Sequence, residues 1–197
     1  MWDEARGVKG GAMQREISIR DSRDEDVTAI AAIYAHWVHN GFGSFEIEPP
    51  GEREMAERRA HTLGGGLPYL VAACSGAILG YAYAGPYRPR EAYRFTCEDS
   101  IYVAPDACGQ GVGRALLAAL IARCEALHKR LMVAVIGDSA NAASIGLHAA
   151  LGFSHAGILP AIGWKGERWL DSVFMTRAIG AGASAPPDSA CSRRNHG

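Results

Sequence analysis

The sequence predicts an α/β (α+β layered) domain in which helices flank a mixed, mostly antiparallel sheet of about six to seven strands. Strand-like apolar runs alternate with segments of helical periodicity along the chain. Most neighbouring runs are joined by connections of hairpin length, which is typical of antiparallel pairs. One pair, residues 95–103 and 131–136, is joined through a helix, and such a crossover indicates strands of another orientation.

Apolar spacing and turn residues place the elements in order along the chain. The predicted strands are residues 16–19, 69–73, 77–83, 95–103, 131–136, 153–159 and 169–176. The first predicted helix starts at about Asp24, and three further helices are predicted over residues 52–62, 113–127 and 142–150. In the third helix Leu116, Leu120, Cys124 and Leu127 share one face, which should pack on the sheet. A turn over residues 163–168 should join the last two strands.

The chain is long enough for one catalytic domain, predicted over residues 15–179. Its 197 residues are 48% hydrophobic, which is enough to bury a sizeable core. Residues 1–14 read as a flexible N-terminal extension. Residues 180–197 are rich in Gly, Ala, Ser and Pro and predict a disordered tail.

Charge and composition exclude several classes of partner. The 20 Lys and Arg residues nearly balance the 21 Asp and Glu residues, so nucleic acid and anionic membranes are not expected partners. Apolar runs are far shorter than the roughly 20 residues needed to cross a bilayer, and no secretory signal is recognised, which predicts a cytoplasmic protein. Five cysteines without a C-x-x-C pair predict reduced thiols and no metal site.

A glycine-rich turn between a strand and a helix, Cys108-Gly109-Gln110-Gly111-Val112-Gly113-Arg114, is a candidate anion site. Glycine lets main-chain amides approach a ligand, and the helix N-terminus adds partial positive charge. The Gly-Lys-Ser/Thr of a P-loop is absent, and the G-x-G-x-x-G spacing of a dinucleotide fingerprint is not met. The remaining alternative is a plain glycine-rich turn.

Here the sequence resembles the GNAT superfamily of N-acetyltransferases, whose acetyl-CoA motif is written R/Q-x-x-G-x-G/A. Gly111 and Gly113 match it, whereas Cys108 stands where Arg or Gln is usual. The resemblance implies acetyl-CoA as cosubstrate, with main-chain contacts to its pyrophosphate and pantetheine and a side-chain contact from Asn141. The implied cosubstrate-binding residues are Ile101, Tyr102, Val103, Gly109, Gln110, Gly111, Val112, Gly113, Arg114 and Asn141. Asn141 also suits a plain helix cap.

Further motifs resemble the phosphinothricin and methionine sulfoximine acetyltransferase subgroup over about 160 residues. They are Ser44-Phe45-Glu46, Tyr87-Arg88-Pro89-Arg90, Glu98-Asp99-Ser100-Ile101-Tyr102-Val103, Asn141-Ala142-Ala143-Ser144-Ile145-Gly146-Leu147-His148 and Arg168-Trp169-Leu170-Asp171. The resemblance implies a small amino-acid-like acceptor.

Two residues are candidates for proton transfer. An alkyl ammonium has a pKa of roughly 10 and must lose a proton before its nitrogen can attack a thioester. Glu98 is the first candidate base, against the alternative of an exposed strand carboxylate. His148 follows Asn141 by seven residues, where many superfamily members carry a tyrosine that protonates the departing thiolate. His148 is therefore a candidate acid or assisting base, or a structural histidine.

Acceptor binding is expected from the loops around the central strand. Arg88 and Arg90 can grip a carboxylate or phosphinate, unless they belong to a solvated loop. The candidate acceptor-binding residues are Phe45, Tyr87, Arg88, Arg90, Asp99 and Ser100.

The leading hypothesis is direct acetyl transfer from acetyl-CoA to a small-molecule amine in a ternary complex. Two alternatives are acetylation of protein N-termini or lysines, and a non-catalytic acyl-CoA sensor. Trp164, Trp169 and Phe174 in the closing segment suggest a homodimer, although the same residues could be ordinary core.

Overall fold

The computed structural model describes residues 17–187 and contains one seven-stranded sheet covered by four α-helices. The strands are β1 (Ser18–Asp21), β2 (Tyr69–Cys74), β3 (Ala77–Pro86), β4 (Thr96–Val103), β5 (Leu131–Gly137), β6 (Ser154–Lys165) and β7 (Arg168–Ala178). The helices are α1 (Val27–Asn40), α2 (Glu52–Gly64), α3 (Val112–Ala126) and α4 (Ala142–Ala150). The predicted layered fold is confirmed.

The strand order in the sheet is β1-β2-β3-β4-β5-β7-β6, and every neighbouring pair is antiparallel except β4 and β5. Helix α3 connects these two parallel strands, as the crossover predicted. Their pairing begins at Thr96 and Leu131 and ends at Asp99 and Ala134. Both strands continue past that point, so they diverge and leave two facing edges without strand partners.

The two faces of the sheet carry different helices. Helix α3 packs through Leu116, Leu117 and Leu120, which are fully buried beneath the sheet. On the opposite face α1 brings Tyr34 edge-on to Tyr102 of β4, with ring centroids 4.9 Å apart. The centre of the molecule is therefore a sheet closed on both sides, and the divergence of β4 and β5 opens a gap through it.

Two sequence expectations about element ends were wrong. Leu127 was expected on the buried face of α3, but the helix ends at Ala126 and Leu127 is 43% exposed. The chain turns there through His128, whose φ is +58°. The turn expected over residues 163–168 is only Gly166 and Glu167, both with positive φ, as a two-residue hairpin of type I′ requires. Strand β6 continues to Lys165 because an irregularity between Leu159 and Gly163 accommodates Pro160.

The ends of the chain fall partly outside the described residues. The predicted extension, residues 1–14, and Cys191 lie outside them. Of the predicted tail, residues 180–187 follow Ile179 in turns, in which the Gly182 amide donates to the Ile179 carbonyl at 2.9 Å. Cys74, Cys97, Cys108 and Cys124 are free thiols. No helix within residues 17–187 is long and apolar enough to span a membrane.

Candidate active site

The gap between β4 and β5 forms a cleft of about 660 Å³. Its walls are the facing edges of the two strands, over residues 100–103 and 135–137, together with the start of α3 and one side of α4. Peptide groups on these edges lack a neighbouring strand, and Trp37 Nε1 donates to one of them, the Val103 carbonyl, at 2.7 Å. The cleft therefore offers main-chain donors and acceptors to an extended, amide-containing ligand.

The glycine-rich turn lies at the wide end of this cleft. Gly109 and Gly111 have φ values of +76° and +82°, a left-handed conformation that favours glycine. The first helical hydrogen bond of α3 runs from the Ala115 amide to the Gly111 carbonyl at 3.0 Å. The amides of residues 112–114 consequently have no partner within the helix and can bind an anion. The residues of the turn fit the pyrophosphate of coenzyme A.

Most of the predicted cosubstrate residues come together in the cleft, and one does not. Those that line it are Ile101, Tyr102, Val103, Gly109, Gly111, Val112, Gly113, Arg114 and Asn141. Gln110 instead turns its side chain back and donates to the Asp106 carbonyl at 2.7 Å. Cys108, at the position where the family usually has Arg or Gln, also lines the cleft, and burial raises the pKa of its thiol.

Asn141 caps helix α4, the structural role that the sequence also allowed. Its side-chain oxygen accepts from the Ser144 amide at 3.1 Å. Its side-chain nitrogen faces the Gly137 carbonyl at 3.4 Å. Through these two hydrogen bonds Asn141 connects the end of β5 to the start of the helix that carries His148. Asn141 also lines the cleft.

His148 and Asp99 form a buried pair at the narrow end of the cleft. The distance from His148 Nε2 to Asp99 Oδ2 is 3.0 Å, and the two side chains are only 4% and 2% exposed. His148 Nδ1 lies 2.7 Å from the Ser144 carbonyl. Burial alone would lower the pKa of His148, but the hydrogen bond and charge of Asp99, with the Ser144 carbonyl, outweigh burial and raise that pKa.

Glu98 lies on the opposite face of β4 from this pair, because neighbouring strand residues point to opposite faces. Its cross-strand partner is Gly85, and Ser100 on the same face is paired with Tyr83. Burial raises the pKa of the Glu98 carboxyl, the charge of Asp99 raises it further, and the charge of Arg88 opposes both. Asp99 and Ser100 were expected together at the acceptor site. Both residues line the cleft, but this alternation sends their side chains to opposite faces of β4.

A second cavity of about 440 Å³ lies on the Glu98 side of the sheet. Four tyrosines line it, Tyr34, Tyr69, Tyr81 and Tyr83, and Arg58 borders it from α2. Gly85, the partner of Glu98, also lines this cavity. Besides the cleft between β4 and β5, the sheet thus has an aromatic cavity on the face that carries the ionisable Glu98 carboxyl.

The predicted acceptor loop lies near Glu98 but outside the cleft. The Arg88 guanidinium is 4.8 Å from the centre of the Tyr87 ring, and its positive charge acts to lower the pKa of Glu98. Arg90 is exposed, and its side chain makes no hydrogen bond or ion pair within residues 17–187. Phe45 covers Gly163, where an added Cβ would lie 2.5 Å from the Phe45 ring.

Sequence reasoning missed several residues that line the cleft. Phe42 lies between Gly41 and Gly43 at the end of α1, and Arg168 contacts the Phe42 ring at 4.1 Å while pairing with Asp138. Gly137 was an available signal for this close approach, since an added Cβ there would collide with the Phe42 carbonyl. Within the described part of the chain, no group of three or more His, Cys, Asp or Glu side chains could hold a metal ion.

Comparison with known proteins agrees with this geometry. Residues 30–153 match the acetyltransferase (GNAT) family. A phosphinothricin N-acetyltransferase of Alcaligenes faecalis is 57% identical over 171 residues, which are 87% of each chain. An L-methionine sulfoximine/L-methionine sulfone acetyltransferase of Pseudomonas aeruginosa is 43% identical over 173 residues, 86% of this chain and 98% of the relative.

A solved structure is similar as well. The GNAT superfamily phosphinothricin acetyltransferase from Sinorhizobium meliloti, in complex with AcCoA, has a TM-score of 0.85 and is 47% identical. The match covers 88% of this chain and 94% of that one. Fold and cleft thus define an acetyl-CoA-dependent N-acetyltransferase. The chain belongs to the GNAT family.

Proposed function

We propose that this enzyme acetylates the amino group of a small amino-acid-like acceptor of the phosphinothricin or methionine sulfoximine type. The observation that carries the proposal is the position of Glu98, a half-buried carboxyl with a raised pKa across β4 from the donor cleft. The names of the Alcaligenes and Pseudomonas relatives support the acceptor class.

Glu98 is the proposed base. An acceptor ammonium with a pKa of roughly 10 must lose a proton, and a carboxyl whose pKa is raised holds that proton better than an ordinary one. The free amine then attacks the acetyl carbonyl from the Glu98 side of the sheet. Peptide groups of residues 101–103 would hold the pantetheine chain and polarise the carbonyl.

His148 is a weaker candidate for the base than Glu98. Its Nδ1 faces a carbonyl, which can only accept, so Nδ1 carries a proton. Its Nε2 faces Asp99. In this arrangement neither ring nitrogen has a free lone pair directed at an incoming ammonium, so Glu98 remains the proposed base.

The acceptor's acidic group is proposed to bind Arg88, with Tyr87, Ser100 and Phe45 beside it. A carboxylate or phosphinate bound there would neutralise the positive charge of the exposed Arg88 guanidinium. Arg90 and Asp99 have weaker support as acceptor ligands, since the exposed Arg90 side chain makes no hydrogen bond or ion pair within the described residues and Asp99 pairs with His148.

Transfer is proposed to be direct, without an acetylated enzyme. The buried Cys97 thiol has a raised pKa, caused first by its hydrogen bond with Cys124 and then by burial. Burial also raises the pKa of Cys108. Both thiols are thus poor nucleophiles. Intersecting initial-velocity lines are expected, and parallel lines with an isolable acetyl-cysteine would contradict direct transfer.

An amine panel assayed by release of free thiol from acetyl-CoA tests the acceptor. Phosphinothricin, methionine sulfoximine and methionine sulfone should be acetylated with much higher kcat/KM than lysine-containing peptides or peptides with free N-termini. Faster acetylation of the peptides would overturn the proposed acceptor class. Binding of acetyl-CoA with no thiol release for any amine would favour the sensor alternative.

A homodimer is also proposed, through the outer surface of β6 and β7. Trp164 and Trp169 form a cross-strand pair there and are 56% and 63% exposed. Ile158, Leu159 and Ile162 of β6 are also exposed. Sedimentation should give twice the chain mass and Trp169→Arg should shift the species to the monomer. A monomeric wild type would refute this.

Because its acetyl donor is a cytoplasmic metabolite, the enzyme is proposed to work in the cytoplasm.

A further inference from the structure

Trp37 reaches from the end of α1 into the donor cleft. Its indole Nε1 donates to the Val103 carbonyl of β4 at 2.7 Å, and the residue lines the cleft. Two neighbours hold the indole in place. The His36 ring stands edge-on to it, with centroids 5.1 Å apart, and Gly41 packs so closely that an added Cβ would lie 3.1 Å from the indole ring.

Strand geometry decides which main-chain groups of β4 face the cleft. The amide of Ala104, the residue after β4, donates to the Leu79 carbonyl of β3 at 2.8 Å, so the main-chain groups of Ala104 point towards β3. Main-chain groups of neighbouring residues in a strand point to opposite sides. Those of Val103 and Ile101 consequently point away from β3, into the gap between β4 and β5.

The cleft edge of β4 is therefore richer in donors than in acceptors. Ile101 and Val103 each present one N–H and one carbonyl there, and Trp37 occupies the Val103 carbonyl. Both N–H groups and the Ile101 carbonyl remain for a ligand. The pantetheine arm of coenzyme A contains two amides, and an acyl thioester adds one more carbonyl. The remaining groups of this edge suit the carbonyls of such a ligand better than its N–H groups.

We infer that Trp37 is a positioning residue for the acyl donor, which keeps its bond to the Val103 carbonyl while the pantetheine arm lies beside β4. The arm removes water from this edge. A carbonyl that loses its water without gaining a donor is costly, and the Trp37 N–H prevents that cost. The Val103 N–H is then the group left for a carbonyl of the arm. This inference rests on the proposed placement of the arm along residues 101–103, and it is independent of the acceptor.

Trp37→Phe tests this role, because it keeps an aromatic ring and removes the N–H. Calorimetry should find the Kd for coenzyme A raised about tenfold, since the Val103 carbonyl is then covered without a donor. Adenosine 3′-phosphate 5′-diphosphate has no pantetheine arm, and its Kd should stay within about twofold. The single-turnover rate at saturating acetyl-CoA should stay within about threefold of wild type, because the change affects binding rather than chemistry.

Three results of these titrations would overturn the inference. An unchanged Kd for coenzyme A means that the bond contributes nothing to donor binding. Tighter binding by Trp37→Phe means that the arm itself takes the Val103 carbonyl and must displace the indole. An equal loss of affinity for both ligands means that the substitution acts on the cleft as a whole.

Tyr34→Phe is the matched control. Tyr34 lies one turn earlier on the same helix, and its hydroxyl forms a buried hydrogen bond with the Ser44 hydroxyl at 2.8 Å. The variant therefore costs α1 a hydrogen bond without changing the bond to Val103. The free energy of unfolding should fall, whereas the Kd for coenzyme A should stay within about twofold. A tenfold rise here as well would contradict a specific role of Trp37.

Nitrogen NMR reads the bond in the wild type. The Trp37 indole resonance, assigned through Trp37→Phe, should be protected from solvent exchange before and after saturation with coenzyme A. Loss of protection on binding overturns the inference even if Trp37→Phe does not fold. The amide resonances of Ile101 and Val103 should shift on binding. Unmoved amides would contradict the proposed placement of the arm instead, and the role of Trp37 with it.

Discussion

The two faces of strand β4 have chemically different surroundings. The cleft beside β5 combines the glycine-rich turn and the unpaired strand edges with side chains such as Trp37, Phe42 and Leu147. The face that carries Glu98 adjoins tyrosine rings and guanidinium groups. One face can hold a long ligand through peptide groups common to every residue, whereas the other depends on particular side chains.

This difference predicts how each face responds to substitution. Substitutions of side chains in the donor cleft should leave acetyl-CoA binding intact unless they disturb the backbone of the cleft or the hydrogen bonds of that backbone. On the acceptor side, removal of one ionisable group should change the chemistry while donor affinity stays. Three variants test this contrast.

The largest effect is expected from Glu98→Gln, which keeps size and polarity but cannot accept a proton. The single-turnover rate should fall by about 10²- to 10⁴-fold, the usual contribution of a general base. Calorimetry should find the Kd for acetyl-CoA unchanged, because Glu98 lies on the other face of β4. The exposed Glu125 of α3 supplies the control variant, Glu125→Gln. Undiminished turnover would assign the base to another residue.

Gly111→Ala should damage the donor face through the backbone. A φ of +82° costs an alanine about 1–2 kcal/mol, so the turn should relax and misdirect its amides. The Kd for acetyl-CoA should rise about tenfold, which corresponds to roughly 1.4 kcal/mol.

Gly76→Ala is its matched control. Gly76 has a φ of +85° in the β2–β3 hairpin, with nothing within 4 Å of an added Cβ. The free energy of unfolding should fall similarly in both variants, but acetyl-CoA affinity only in Gly111→Ala. Equal affinities would argue against the turn as the anion site.

Arg88→Gln should have the smallest effect, since Arg88 is exposed and screened by solvent. KM for an acidic acceptor should rise about fivefold, equivalent to roughly 1 kcal/mol, with acetyl-CoA binding unchanged. Arg88 lowers the pKa of Glu98, so its removal raises that pKa and moves the acid limb of the rate profile to higher pH. Arg90→Gln is the control, and an equal acid-limb shift there would contradict the specific role of Arg88.

The order of elements could be predicted from sequence because it depends on local periodicity. The crossover from β4 through α3 to β5, the hairpins and the glycine-rich turn all follow from spacing and turn residues. The exact end of β6 could not be predicted from sequence. Pro160 indicates a strand end when only its neighbours are considered, and the strand continues past it only through pairing with β7. The role of Phe42 was missed for a related reason, because Gly137 and Arg168, its neighbours in space, are distant in sequence.

The sequence by itself determined the family, the layered fold and the candidates Glu98, His148 and the glycine-rich turn. Tertiary structure alone decided that the Asp99 side chain pairs with His148 and leaves β4 on the face opposite to that of Ser100. The reason is physical. Strand alternation sends neighbouring side chains to opposite faces, and a hydrogen bond between residues 49 positions apart exists only after the sheet and α4 have packed.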